Sequence, residues 1–454
     1  MAVDTAIKNC KIVTPQGTFS AGIGIHSQKI VAIARDEDLP PANKVVDARG
    51  NYVIPGLVDA HTHLFARREA PPAAILSAET QACAYGGCTT CLDLVRAADI
   101  KKAAEDYLAV FRENGYIDMG FTTAIHDVGL IKQIRDIAEF GIVGFKVLMP
   151  YRGAEAMPGT PDIDDGIIYL LFEQVGRLAK EGYKVHVRIH CENVEIFFKL
   201  KERFLEQGVE PSSYHETRPS FLEAEAMHRA IYLANLVGCP LYIVHLSIKE
   251  GVDIVAKARA DGVNVIAETC PQYLVLNVDN TDKVLSKVNP PIRTKEDNET
   301  LWEGIRDGVI SVVASDHAPV PKQYKKDLWT ARMGISVVES WLPAMLSEGV
   351  NKKRISLEKL VEVCCYNPAR IYGLTPEKGV IAVGSDADLV IVDLNKEAVV
   401  AEKPAYSGTD FTPFADMKFK GWPILTMVRG NVVMEEGRIV GKPGGGKFMP
   451  SKAK

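Results

Sequence analysis

What the sequence lacks narrows the field first. No apolar run approaches the ~20 residues that cross a bilayer. The opening stretch, MAVDTAIKNCKIVTP, has neither the apolar centre nor the small-residue cleavage site of a secretory leader. The nine cysteines are scattered without the spacing of a disulfide framework. These absences predict a cytoplasmic protein with reduced thiols and no membrane association. No basic stripe offers itself to nucleic acid, and the net charge of -5 is modest for 454 residues. No G-x-G-x-x-G follows the first strand candidate, which argues against a dinucleotide-binding open sheet.

What is present is an ordinary globular balance, 47% apolar and 24% charged, in a chain long enough for one large barrel and a smaller domain. Eight short apolar runs alternate with amphipathic stretches. They are VIPGLVDAHTH ending at His63, TTCLDLV at Val95, MGFTTAIH at His126 and GIVGFKVLM at Met149. KVHVRIHCE at Glu192, PLYIVHLS at Ser247, VNVIAETCP at Pro271 and ISVVASDHAP at Pro319 follow. Near-continuous runs of this kind suit parallel strands buried on both faces. Eight β/α repeats predict a closed (β/α)₈ TIM barrel over 55–378.

The two chain ends read as short alternating strands with turns, and neither carries enough strand to close a sandwich of its own. Residues 1–54 and 379–440 are therefore expected to form one composite β-sandwich domain beside the barrel. The tail over 441–454, rich in Gly, Pro and Lys, is expected to be mobile or docked on a neighbouring subunit.

Metal-capable side chains gather where the strands end. His61 and His63 close the first strand, Lys146 the fourth, His190 the fifth, His245 the sixth and Asp316 the eighth. Barrel enzymes work at this face, so these scattered positions converge in space. His61 and His63 are two apart on a strand and point to one side, a natural start for a zinc site. One strand histidine alone is more simply a core residue; four with an aspartate on one face are not. Lys146 ends a buried strand, where burial and nearby cations leave a neutral amine that can react with carbon dioxide. A salt-bridged structural lysine is the equal alternative. The lone C-x-x-C of Cys88 and Cys91 reads as two small residues beside a buried strand, since no second pair accompanies it.

The motifs PGLVDAHTHL, GFKVLMPY, VHLS, ETCPQYL, NPPIRTK and ASDHAP, in this order, resemble those of the cyclic amidohydrolases: hydantoinase, dihydropyrimidinase, allantoinase and dihydroorotase. GVIAVGSDADLVIVDL resembles the superfamily's return into the small β domain. The resemblance spans nearly the whole chain. It implies two divalent metal ions, zinc first, with manganese or cobalt as alternatives. His61, His63, Lys146 and Asp316 would hold one; carbamylated Lys146, His190 and His245 the other. HCEN around His190 matches the family motif better than His186 does. His126 ends a strand that bears no ligand in the family, and His317 should face away from Asp316; both are assigned structural roles.

The mechanism implied is attack on a ring amide by a hydroxide that both metals share, with Asp316 moving the proton and Tyr151 holding the oxyanion. Phe65 stands where dihydroorotases carry a carboxylate-binding arginine, although Arg67 and Arg68 follow closely. Tyr151 favours a hydantoin or dihydropyrimidine ring. LWTARMGISVVESWLPAML after Asp316 resembles allantoinases instead. Asn289 replaces a serine before the PP pair, and Met333 and Gly334 occupy the stretch that meets the ring in hydantoinases. Asn289, Met333, Gly334, Phe65 and Tyr151 are thus the expected substrate contacts. The resemblance further implies a homotetramer acting on a small cyclic amide. Two other readings remain: a non-catalytic relative that has lost metal ligands, against which all six positions stand intact, and an unrelated barrel deaminase, which would not need Lys146.

Overall fold

The computed structural model describes residues 2–66, 69–151, 153 and 162–454. Arg67 and Arg68, which bear on the dihydroorotase comparison, lie outside the described residues.

All eight strand runs form strands of one parallel sheet in sequential order. They are β1 (Leu57–Thr62), β2 (Cys88–Val95), β3 (Asp118–Ala124), β4 (Gly144–Leu148), β5 (His186–His190), β6 (Leu241–Ile243), β7 (Val265–Thr269) and β8 (Val312–Val313). A parallel bridge between Thr62 and His317, with His63 N–H donating to the His317 carbonyl at 2.8 Å, joins the two edge strands. The sheet thereby curls into the barrel the repeats predict. Every residue of β3 and β5 is buried, which explains why these segments read as apolar runs rather than as alternating ones.

The helices between the strands start where the sequence supplies a cap. Asp99, Asp164, Asn193 and Thr294 each accept a backbone N–H in the first turn of the helix that follows. The helix Ser220–Val237 stops at Gly238, whose φ of 70° is the left-handed conformation glycine adopts freely.

The first apolar run splits. Tyr52–Pro55 belongs to a different, seven-stranded sheet, and only Leu57–Thr62 enters the barrel. Gly56 is the joint. A Cβ there would meet Thr89 Oγ1 at 2.1 Å, so only glycine lets the chain pass this close to the start of β2. The seven-stranded sheet takes Lys11–Thr14, Gly17–Ser20 and Tyr52–Pro55 from the N-terminal part. Leu389–Val399, Lys418–Val428, Asn431–Glu435 and Arg438–Ile439 come from the C-terminal part. A four-stranded sheet (Val3–Lys8, Gly22–His26, Lys29–Ala34, Ala42–Asp47) packs against it through Ile7, Ile23, Ile25, Val53, Leu389 and Met427. Along the Leu389–Val399 strand, Leu389 and Ile391 face this core while Val390 and Val392 join the barrel core, the period-2 division of a strand buried on both faces.

The tail differs from expectation. It lies across its own barrel at the face opposite the strand ends. Met119 N–H donates to the Lys447 carbonyl, Met449 N–H to the Met119 carbonyl, Ser451 N–H to the Gly141 carbonyl and Lys184 N–H to the Ala453 carbonyl. Phe448 packs on Phe121 and Phe140 at 5.7 and 5.8 Å between centroids. The physical reason is that the strand starts leave backbone donors and aromatic edges that a segment must cover. Phe448→Ala should cost about 2 kcal/mol, below the 3–5 kcal/mol of a fully buried phenylalanine because this ring keeps part of its surface exposed. Denaturant unfolding measures it, and an unchanged midpoint would mean the tail adds nothing.

Candidate metal centre

The ends of β1, β4, β5, β6 and β8 bring six side chains together. His61 Nε2 and His63 Nε2 lie 3.3 and 3.2 Å from Asp316 Oδ1, and one ligand atom from each of the three falls within 4.8 Å of the others. Lys146 Nζ is 2.6 Å from His61 Nε2. The His245 ring stacks on His61 at 5.5 Å and meets the edge of His190 at 4.3 Å. His245 and Asp316 have φ of 41° and 50°, a left-handed backbone that non-glycine residues seldom adopt. Both strained residues belong to this cluster, where their surroundings hold them in place.

Burial sets the charge state. It pushes His61 and His245 well below the ordinary histidine value, with Lys146 and Arg188 adding to it at His61 and His190 and Lys146 at His245. It also brings Lys146 down to about 8; Arg188 assists, while Asp316 and Glu268 oppose. Neutral imidazoles and a neutral amine are the forms that ligate a cation or take up carbon dioxide. His245 Nδ1 is buried and has no hydrogen bond among the described residues. Such an orphaned nitrogen, beside two further imidazoles and a carboxylate, fits a divalent metal ion.

Three carboxylates that the sequence reading passed over hold these groups. Glu268 Oε1 accepts from His61 Nδ1 at 2.6 Å and from His245 N–H at 3.2 Å, while its Oε2 accepts from the Tyr242 hydroxyl at 2.7 Å and from Arg188 at 3.4 Å. Asp59 accepts the backbone N–H of His61 and of Ser315 together with the Ser315 hydroxyl, so it clamps β1 to the turn that carries Asp316. Glu192 Oε2 accepts from His190 Nε2 at 2.7 Å. Burial alone raises the Glu192 carboxyl, but Arg218 and His190 outweigh it and hold it at about 2. A signal for two of them exists: Asp59 and Glu192 each stand two residues from a ligand candidate, and at Glu192 the common gift of a metal-binding histidine's other N–H to a carboxylate applies.

Tyr151 stands edge-on to His190, 5.6 Å between ring centroids. Asn289 Nδ2 lies 3.4 Å from the Tyr151 hydroxyl and 2.6 Å from Met333 Sδ. Burial pushes the Tyr151 hydroxyl above the ordinary tyrosine value, so it stays a proton donor at neutral pH. Gly334 donates its N–H to the Lys287 carbonyl at 3.3 Å, and its φ of 122° sets it where a Cβ would strike the Ala318 carbonyl oxygen at 2.7 Å. Gly334 thus permits a close approach of two loops, and its N–H is already engaged. Phe65 packs edge-on against Tyr107, 4.7 Å between ring centroids.

The remaining candidates lie elsewhere. His186 sits at the start of β5 between Tyr242 and Tyr372, where burial and Arg188 bring it down to about 3. His317 bonds Glu79 and the N–H groups of Val337 and Val338. His126 is outside the close His61–His63–Asp316 group. Cys88 and Cys91 are buried with Cys83; hydrogen bonds with those two, and then burial, hold the Cys83 thiol above the ordinary value, while at Cys91 the bond with Cys83 lowers it and burial with neighbouring charges outweighs that.

Comparison with known proteins agrees with this geometry. Residues 52–433 match the Amidohydrolase family. An L-hydantoinase of Paenarthrobacter aurescens is 34% identical, covering 98% of each chain. An allantoinase of Rubrobacter xylanophilus is 34% identical, covering 96% of each chain. The solved structure of an L-hydantoinase (dihydropyrimidinase) from Arthrobacter aurescens superposes with a TM-score of 0.91 at 33% identity, covering 98% of this chain and 99% of that one. With the barrel, the strand-end cluster and these likenesses together, the chain belongs to the amidohydrolase family, in the cyclic amidohydrolase branch that hydantoinases and allantoinases share.

Proposed function

We propose that this enzyme opens a five- or six-membered cyclic ureide or imide, of the hydantoin or dihydropyrimidine type, to an N-carbamoyl amino acid. The observation that carries this reading is Tyr151, a protonated hydroxyl edge-on to His190 and flanked by Asn289 and Met333. In it, His61, His63, Lys146 as a carbamate and Asp316 would hold one divalent metal ion, and the carbamate, His190 and His245 would hold the second. Zinc suits the ligand set first, with manganese or cobalt as alternatives. When bound, such a pair supplies Lewis-acid charge and a nucleophilic water at neutral pH.

The protein's own groups do the rest. The Asp316 carboxylate takes the proton of the attacking water and returns it to the leaving ring nitrogen. The Tyr151 hydroxyl donates to the oxygen that becomes negative as the carbonyl carbon turns tetrahedral. Tyr151→Phe should therefore lower kcat about 10²–10³-fold with little change in KM, because the oxyanion forms only in the transition state. An unaltered kcat would remove Tyr151 from the mechanism.

Allantoin is the second candidate, favoured by the stretch from Trp329 to Leu346. A panel of hydantoin, 5-substituted hydantoins, dihydrouracil, allantoin and dihydroorotate on metal-replete enzyme decides. Faster turnover of allantoin than of any hydantoin or dihydrouracil overturns the first reading. No turnover of any of them leaves a non-catalytic relative.

The division into a composite β domain (1–54 and 379–440), a barrel (55–378) and a tail (441–454) is part of the same reading, as are a cytoplasmic location and a homotetramer. No described helix is long and apolar enough to cross a membrane. For assembly the support is a run of exposed apolar side chains on two helices. Phe221, Tyr232 and Leu236 lie on Ser220–Val237, and Tyr169 and Leu170 on Asp165–Lys180. Sedimentation at assay concentration should give a tetramer; a stable monomer refutes it.

A further inference from the structure

Arg218 lies fully buried just before the helix Ser220–Val237, far in sequence from every strand end, yet its guanidinium reaches the metal centre through one residue. Its Nη1 donates to Glu192 Oε2 at 3.2 Å, the same oxygen that accepts from His190 Nε2 at 2.7 Å. Its Nε donates to the Tyr214 hydroxyl at 2.8 Å, and the plane sits 3.7 Å over the Phe197 ring. The Arg218 carbonyl in turn accepts from Arg293, which also holds Glu223 and the Ser247 hydroxyl, two residues after His245. The guanidinium is thus held by Tyr214 and Phe197, and the Arg218 backbone by Arg293, before the side chain meets Glu192.

The consequences follow from burial. Glu192 Oε1 is buried without a hydrogen bond among the described residues, so the carboxylate rests on Oε2 alone. Arg218 Nη1 and His190 Nε2 meet on that single oxygen, so the place of the guanidinium sets the place of the acceptor. A ring that donates from Nε2 keeps its Nδ1 lone pair for ligation, and the carboxylate behind it makes Nδ1 a stronger donor. We infer that Arg218 is a positioning residue for His190: acting through Glu192, it fixes the tautomer and orientation of the ring and so sets how tightly the His190–His245 side of the centre holds a divalent cation. This rests on the reading of His190 as a ligand.

Zinc is the probe, titrated into the full-length apoprotein in competition with a chromophoric chelator, and folding is checked by near-ultraviolet circular dichroism. Arg218→Met should weaken the binding of one zinc about 10–100-fold and leave the other equivalent unchanged. Arg218→Lys should recover part of the loss. Glu192→Gln, which keeps the volume and removes the charge, should also weaken that zinc. A purely structural arginine would lower the melting temperature without moving zinc affinity in the folded protein. Wild-type zinc affinity in folded Arg218→Met overturns the inference. Should that variant not fold, wild-type affinity in Glu192→Gln overturns it instead. His190→Ala separates the two levels: if it too binds both zinc ions as the wild type does, His190 is not a ligand and the reading beneath the inference fails.

Discussion

Lys146→Ala is expected to hold less zinc per chain than the wild type and to lose turnover by about 10³-fold or more, the size of several kcal/mol of lost charge stabilisation. The lysine is almost completely buried, its Nζ 2.6 Å from His61 Nε2, and burial brings it down to about 8. A lysine in that state is a neutral amine for part of the population at neutral pH. Its lone pair can add to carbon dioxide with release of one proton; the carbamate so formed would offer two oxygens to the centre in place of one nitrogen. Alanine would remove that proposed bridge and leave the imidazoles intact. Added acetate or propionate should then restore part of the activity, because a short carboxylate fits the space vacated by the side chain. Zinc content, measured on purified protein, and turnover with and without acetate are the readouts. Wild-type turnover in the variant would show that Lys146 is structural; zinc loss without acetate rescue would leave the bridging role unsupported.

The largest stability effect is expected at the opposite end of the barrel. Lys378 Nζ lies 2.5 Å from Asp118 and Asp388 and 3.0 Å from Asp386, all buried. Arg429 bonds Asp118 and the Gly445 carbonyl, and Lys447 N–H also donates to Asp118. One cluster therefore ties the start of β3, the crossing into the seven-stranded sheet and the tail. Lys378→Met leaves these buried carboxylates undercompensated and should cost about 3–5 kcal/mol, read as a fall in the denaturant midpoint. A change below about 1 kcal/mol, the value of an exposed pair, would mean that water already reaches the cluster.

The pH dependence has a definite sign. Burial alone pulls Lys378 down, but Asp388, Asp118 and Asp386 outweigh it and hold it above the ordinary lysine value. A raised folded value stabilises fully below the unfolded value of about 10.4 and is lost only as pH rises through the folded one. The gap between wild type and Lys378→Met should thus stay constant through neutral pH and close only in strongly alkaline solution.

Much of the fold was legible because each barrel strand carries its own signature. A parallel strand buried on both faces must be apolar throughout, and TTCLDLV or KVHVRIHCE can be read without knowing its neighbours. His61 and His63 were legible for the same local reason, two positions apart on one strand. Glu268 and Arg188 were not. Each sits in an apolar run as an isolated charge, and only the curl of the sheet shows that Glu268 meets His61, more than two hundred residues away. The Pro55-Gly56 pair and the expected boundary at 54/55 marked the joint in the first run, but the need for glycine there arises only from the approach of Thr89. The tail misled because Gly, Pro and Lys are the composition of mobile segments; the bare strand starts that it covers are a property of the closed barrel.

By itself the sequence determined the element types, the barrel class, which metal-capable side chains stand at the strand ends and the resemblance to cyclic amidohydrolases. Those depend on side-chain type and short-range periodicity, which a linear chain displays directly. Only the tertiary structure decided which acids support which histidines, how Arg218 reaches His190, and where the tail goes. It also placed Phe65 against Tyr107. Those contacts join residues distant in the chain, and an isolated charge or aromatic ring carries no mark of its partner until backbone closure brings the two within a few ångströms.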